Sequence, residues 1–150
     1  MKKLLLTAVL SVLAFIDVNA QVEYKVVTSV ESIVPMGLGR SRIVSANEEK
    51  DYKEFTSTQT EDDKTRNKSD RGEIRVKDFD ETKLLNFYNV AGIRFQNIAA
   101  NDAIISSKIN TMIIEGWELA FVTSAVESDS GKGDGQGIFI TRYIFKRNKQ

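Results

Sequence analysis

Residues 101–126 read Asn-Asp-Ala-Ile-Ile-Ser-Ser-Lys-Ile-Asn-Thr-Met-Ile-Ile-Glu-Gly-Trp-Glu-Leu-Ala-Phe-Val-Thr-Ser-Ala-Val. Their apolar period changes once. Ile105, Ile109, Met112 and Ile113 fall at i, i+4, i+7 and i+8, the spacing of one helix face, with Ser107, Asn110 and Thr111 on the other side. Asn101-Asp102 offers an N-cap and an early negative charge that suits the helix dipole. Gly116 supplies a left-handed stop. The spacing predicts a helix over 102–115. From Trp117 to Val126 the pattern is that of a strand, with Trp117, Leu119 and Phe121 on one face. A helix feeding a strand through a glycine stop is the nucleus of an α+β fold.

The flanking segments supply more strands. Ile138 to Phe145 is apolar on both faces, which is how a central strand covered on both sides reads. Lys146, Arg147 and Lys149 after it read as a solvated tail. Val22 to Val30 alternates Val22, Tyr24, Val26 and Val30 with Glu23, Lys25 and Ser29, a half-buried strand. The only proline lies in Pro35-Met36-Gly37-Leu38-Gly39 and breaks that run. Ser41 to Ser45 reads as a second short strand returning along the first. Leu84 to Tyr88 and Gly92 to Ile98 are apolar again, as strand or irregular loop.

Residues 46–81 carry 12 acidic and 8 basic side chains and few large apolar ones. Within them, 57–72 is almost wholly polar and reads as a mobile loop, because it has little apolar surface to offset its ordering entropy. Strand-like pieces at 52–58 and 73–79 would pair as a protruding hairpin. The expected fold is an antiparallel sheet with one principal helix packed on one face and a polar hairpin or loop insertion at 46–81. The first strand, the strand after Trp117 and the last strand are expected at the sheet's centre.

Residues 1–20 address the chain. Lys2 and Lys3 precede a thirteen-residue apolar run, Leu4 to Ile16, interrupted only by Thr7 and Ser11. Val18-Asn19-Ala20 follows as a cleavage signal, so a secretory signal peptide is expected to be cut between Ala20 and Gln21. Thirteen helical residues span about 20 Å, short of a hydrocarbon core of about 30 Å, so no stable membrane anchor is expected. Residues 21–150 form one domain on this reading, periplasmic or secreted. Removing Lys2, Lys3 and Asp17 from 21 basic and 21 acidic residues leaves 19 and 20. That balance creates no field for nucleic acid.

Composition excludes much chemistry. The chain has no Cys and no His. Disulfides, thiol redox chemistry and Ser-His-Asp or Cys-His catalysis are ruled out, and the usual zinc and copper ligands are missing. No cofactor is expected. The Gly-rich stretch 128–137 lacks the spacing of a phosphate loop and the ligand pattern of a calcium-binding EF-hand, although Asp129 and Asp134 are weak calcium candidates. Gly37-Leu38-Gly39 begins like a dinucleotide fingerprint, but Arg42 stands where the third glycine belongs. Arg40 and Arg42 remain as anion-binding candidates. Glu61-Asp62-Asp63 and Glu48-Glu49-Lys50-Asp51 hold paired carboxylates, in a stretch too polar for the rigid cleft that glycoside hydrolysis needs. Phe87, Tyr88, Arg94 and Phe95 are candidates for an aromatic ligand patch.

Three blocks stand in order: Glu23-Tyr24-Lys25-Val26-Val27, Glu115-Gly116-Trp117-Glu118-Leu119 and Tyr143-Ile144-Phe145-Lys146-Arg147. Together they resemble a small uncharacterised bacterial domain family with a Tyr-Lys-Val-Val strand, a helix ending in Glu-Gly-Trp-Glu-Leu and a closing Phe-Lys-Arg strand. The spacing departs from the compact members, since about seventy residues separate the first strand from the helix. The resemblance implies a fold and a lineage, that of long exported versions in Bacteroidetes-like bacteria, and carries no activity. The functional expectation is a non-enzymatic envelope module that binds an exported protein or a surface glycan. The alternatives are a small carboxylate-dependent hydrolase and a periplasmic structural protein without a dedicated ligand.

Overall fold

The computed structural model describes residues 21–32, 41–89, 91–127 and 137–149. The expected leader at 1–20, the Pro35–Gly39 break, Arg40 and most of the Gly-rich stretch, with Asp129 and Asp134, lie outside the described residues.

The fold is α+β, an open antiparallel sheet with one principal helix. Its strands are β1 (Val22–Ser32), β2 (Arg42–Ala46), β3 (Phe79–Lys83), β6 (Glu118–Glu127) and β7 (Ile138–Asn148), in the order β3-β2-β1-β7-β6. The first and last strands pair along their whole length, from Val22 opposite Asn148 to Ser32 opposite Ile138. The strand after Trp117 is an edge, not part of the centre. A bulge at Ala120 shifts its register, so Leu119 lies opposite Phe145 but Phe121 lies opposite Ile144. Phe121 therefore points away from the face that Leu119 serves and is 60 % exposed.

Between β3 and the helix, β4 (Tyr88–Asn89) and β5 (Gly92–Ile93) form a minimal hairpin. The principal helix α2 runs Phe95–Ile114, seven residues longer at its start than the spacing predicts. Asn101 is not its N-cap but lies one turn and a half inside it, fully buried. The buried stripe is Asn101, Ile104, Ile105, Ile109 and Met112, whereas Ile113 is turned outward. This stripe meets Val27 of β1, Ile43 of β2, Leu84, Trp117 and Phe145 of β7, which form the core with Leu119 and Tyr143 at its margin.

The helix stops as its glycine predicts. Gly116 adopts φ +85°, the Gly116 N–H donates to the Ile113 carbonyl, and the Trp117 N–H donates to the Met112 carbonyl, each at 3.0 Å. This is a Schellman cap, whose hydrophobic closure is Trp117 with Met112 in one core. The Glu-Gly-Trp-Glu-Leu block thus turns the chain from helix to edge strand.

The insertion connects β2 to β3 and contributes no buried residue to the core. The expected strand pieces are instead a 3-10 turn at Tyr52–Phe55 and a single helical turn, α1 (Arg71–Ile74). Local polar hydrogen bonds replace apolar burial here. Asp51 caps the first turn by accepting from the Lys53 N–H, Glu73 accepts from the Asp70 N–H, and the Asn67 amide donates to the Glu54 carbonyl.

Candidate functional site

The two faces of the sheet have different fates. Side chains of Val27, Ser29, Ile43, Ser45, Tyr143 and Phe145 lie under α2. The alternate residues face the other way. Register places them in rows across the strands. One row runs Glu81, Val44, Thr28, Arg142, Thr123. The next runs Val26, Ile144, Phe121, with the Phe79–Ala46 pair beyond the end of the β1–β2 ladder, and a third runs Lys83, Arg42, Val30, Ile140, Ala125. Tyr24, Lys146 and Glu118 add a fourth.

This second face mixes apolar side chains with charged and hydroxyl ones, and α2 lies on the other side of the sheet. Tyr24 is 66 % exposed, and Val22, Val26, Phe79 and Phe121 are also exposed. The expectation that β7 is covered on both sides is therefore corrected: its apolar Ile138, Ile140 and Ile144 look out beside these residues. A shallow apolar depression of about 360 Å³ opens beside the insertion between Val26, Val44, Val76 and Phe79. Charges on the face are of mixed sign. Arg42 pairs with Glu81 at 2.6 Å and Lys146 with Glu118 at 3.2 Å. Arg142 is exposed in mid-face, flanked across the strands by Thr28 and Thr123.

A second feature lies where β2 ends. β1 pairs with β2 only from Val27 to Val30, so residues 22–26 have an open edge. A groove of about 490 Å³ follows that edge, lined in part by Glu23, Lys25, Glu48, Lys50, Trp117 and Arg147. The Arg147 guanidinium stacks on the Trp117 ring 4.1 Å from its centroid and also pairs with Glu23. Lys146 and Arg147 are thus the end of β7 rather than a solvated tail.

The sequence candidates fall in two places. Arg42 lies on the open sheet face, committed to Glu81. Phe87, Tyr88, Arg94 and Phe95 cluster at the small hairpin, where the Arg94 N–H donates to the Phe87 carbonyl at 2.7 Å. The Phe87 and Tyr88 rings meet at 6.0 Å, tilted by 48°. Phe95 is exposed at the helix start. The residues that line the open edge escaped the sequence reading, because their proximity depends on which strands are neighbours. Glu23 and Arg147 are 124 residues apart.

Among the described residues no three potential metal ligands gather. Among the described residues two carboxylates, Glu48 and Asp63, are displaced from their ordinary values, both downward. Desolvation pushes Glu48 up, but hydrogen bonds from Lys50 and the Lys77 N–H and the charges of both lysines outweigh it. Asp63 is lowered by the side chain and backbone N–H of Thr65. A general acid needs the opposite displacement.

No helix among the described residues is long and apolar enough to cross a membrane. Comparison with protein families, with curated proteins and with solved structures finds no match to this chain.

Proposed function

We propose that the protein is an exported, non-catalytic binding module whose working surface is the uncovered face of the sheet. The observation that carries this is β7. Its sequence is apolar on both faces: Tyr143 and Phe145 pack with α2 in the core, whereas half-buried Ile138, Ile140 and Ile144 turn to the other side, among exposed Tyr24, Val26, Phe79 and Phe121. Val22, Tyr24, Val26, Phe79 and Phe121 are all exposed on this face, and a gathering of exposed large apolar side chains marks an interaction surface. The expectation of export rests on the basic, apolar and small-residue pattern of residues 1–20. The partner is a polypeptide rather than a glycan, because the exposed apolar residues of this face are aliphatic as well as aromatic.

A photo-crosslinking residue at Phe121 tests this in the intact envelope, with one at Ile114 as control. Ile114 is 86 % exposed, on the helix side of the molecule. The expected result is a polypeptide adduct from position 121 and none from 114. No adduct at 121, or equal adducts at both, would remove the basis for the proposal.

A further inference from the structure

We propose that the open edge of β1 is a strand-addition slot, which takes an extended polypeptide with an acidic side chain between two apolar ones. The slot is at the sheet's edge, not on its uncovered face, and the inference holds whatever covers that face.

Backbone direction is the first argument. Successive residues of a strand turn their N–H and C=O groups to opposite edges. The Gln21 carbonyl accepts from the Lys149 N–H, so the odd-numbered residues of β1 serve β7. The Ser32 N–H donates to the Ser41 hydroxyl, just ahead of β2, so the even-numbered ones serve the β2 side. The β1–β2 ladder stops at Val27 opposite Ser45, and among the described residues no strand pairs with Val22 or Tyr24 on that side. Their N–H and C=O groups face the groove of about 490 Å³ instead, whose far wall is the chain from Ala46 to Lys50. Donors and acceptors alternating at a strand repeat are matched group for group by another backbone. Residues 22–26 span about 13 Å, the length of about five strand residues. Antiparallel addition continues the line of β2 and keeps the pairing of the sheet uniform.

Side-chain chemistry is the second. Among the charged residues that line the groove, Glu23 pairs with Arg147 and Glu48 with Lys50. Lys25 and Glu49 have no ion pair among the described residues; Glu49 is exposed, whereas Lys25 is half-buried on β1 itself. The backbone of Lys25 serves β7, so an added residue opposite it belongs to a non-hydrogen-bonded pair, in which side chains approach most closely. A carboxylate there meets an ammonium that lacks a partner. The added residues on either side turn to the other face. One lies beside Tyr24, and the other beside Val26, where Val76 and Phe79 border the same apolar depression. The pattern that fits is apolar, acidic, apolar.

Peptide probes test the proposal. The first is N-acetylated, C-amidated Val-Glu-Val-Thr-Val, titrated into ¹⁵N-labelled protein recovered from its own envelope and followed by NMR. The amide signals of Val22, Tyr24 and Val26 are expected to move most. The same peptide with Lys in place of Glu is expected to bind several-fold more weakly, and Lys25→Glu in the protein to reverse that order. Methylating the backbone nitrogen of the central Val, which lies opposite Tyr24, is expected to abolish binding. Methylating that of Glu, which points away from β1, is expected to spare it. No binding of the Glu peptide at any attainable concentration overturns the proposal. So do equal effects of the two methylations, a peptide preference that Lys25→Glu leaves unchanged, and shifts confined to the face around Phe121 and Ile144. A circular dichroism spectrum checks that Lys25→Glu folds; if it does not, the two methylated peptides decide with the native protein.

Discussion

Asn101 completes the backbone of Leu85. Its amide oxygen accepts from the Leu85 N–H at 2.8 Å, and its amide nitrogen donates to the Leu85 carbonyl at 2.7 Å. The same nitrogen donates to Glu31 at 2.7 Å. One fully buried side chain in α2 therefore ties the irregular segment after β3 to the end of β1. Ser41 continues the link: its hydroxyl donates to the Asn86 side chain and accepts from the Ser32 N–H. A segment without a sheet partner can enter the interior only if its polar groups are met in this way.

Asn101→Ala leaves the N–H and C=O of Leu85 without their side-chain partners. The expected loss of stability is about 3 kcal/mol, the order of two such buried groups. Asn110→Ala, at an exposed position of the same helix, is expected to change stability by less than about 0.5 kcal/mol. Urea unfolding of both variants checks the contrast. Equal effects would mean that the Leu85 contacts are energetically idle.

Gly116→Ala isolates the backbone at the helix stop. No heavy atom lies within 4 Å of where a Cβ would sit, so any penalty comes from φ +85° itself. A left-handed residue with a side chain costs about 1–2 kcal/mol. Asn tolerates that region better than Ala. The expected order of thermal stability is Gly116, then Gly116→Asn, then Gly116→Ala. An unchanged Ala variant would show that the cap relaxes at no cost.

Ser45→Ala is expected to stabilise the protein by about 1 kcal/mol. The Ser45 hydroxyl is buried between Val27 and Asp80 in the sheet and has no hydrogen-bond partner among the described residues. Removing it recovers the desolvation cost of an unpaired polar group and leaves a void of one atom. Chemical denaturation measures the gain. A loss would mean that water reaches this hydroxyl in solution.

Asn101 and Gly116 also show what a sequence discloses and what it withholds. Gly116 was legible, because a stop after an apolar stripe is a local signal. The helix, the first and last strands and the α+β class rest on equally local periodicity. Asn101 read as a cap because Asn is a good cap, yet it serves a contact with Leu85, sixteen residues away. Phe121 was misplaced by a bulge, which inserts one residue and reverses every later side chain. The edge position of β6 was hidden for a related reason: pairing order is not a property of any one strand. The candidate surface was legible in half. The apolar second face of β7 was visible in the sequence, but the side of the sheet on which α2 packs was not.

The insertion supplies a pH test. Glu48 and Asp63 both have lowered pKa values in the folded chain, from ordinary values of 4.5 and 3.8. A carboxylate lowered by folding contributes stability above its unfolded pKa, and that contribution fades as pH falls through the folded value. Protonating Asp63 removes the negative charge that the Thr65 N–H meets at 2.9 Å, and protonating Glu48 weakens its contacts with Lys50 and the Lys77 N–H. Local order in the insertion is therefore expected to persist at neutral pH and to loosen only below the ordinary carboxylate range. Carboxyl ¹³C shifts followed by NMR should give midpoints below 4.5 for Glu48 and below 3.8 for Asp63. The Thr65 and Lys77 amide signals should move in step with them. Thr65→Val, which deletes the hydroxyl but keeps the N–H, is expected to return the Asp63 midpoint part of the way. Midpoints at or above the ordinary values would mean that these hydrogen bonds do not hold the insertion in solution, and that its polar side chains face water independently.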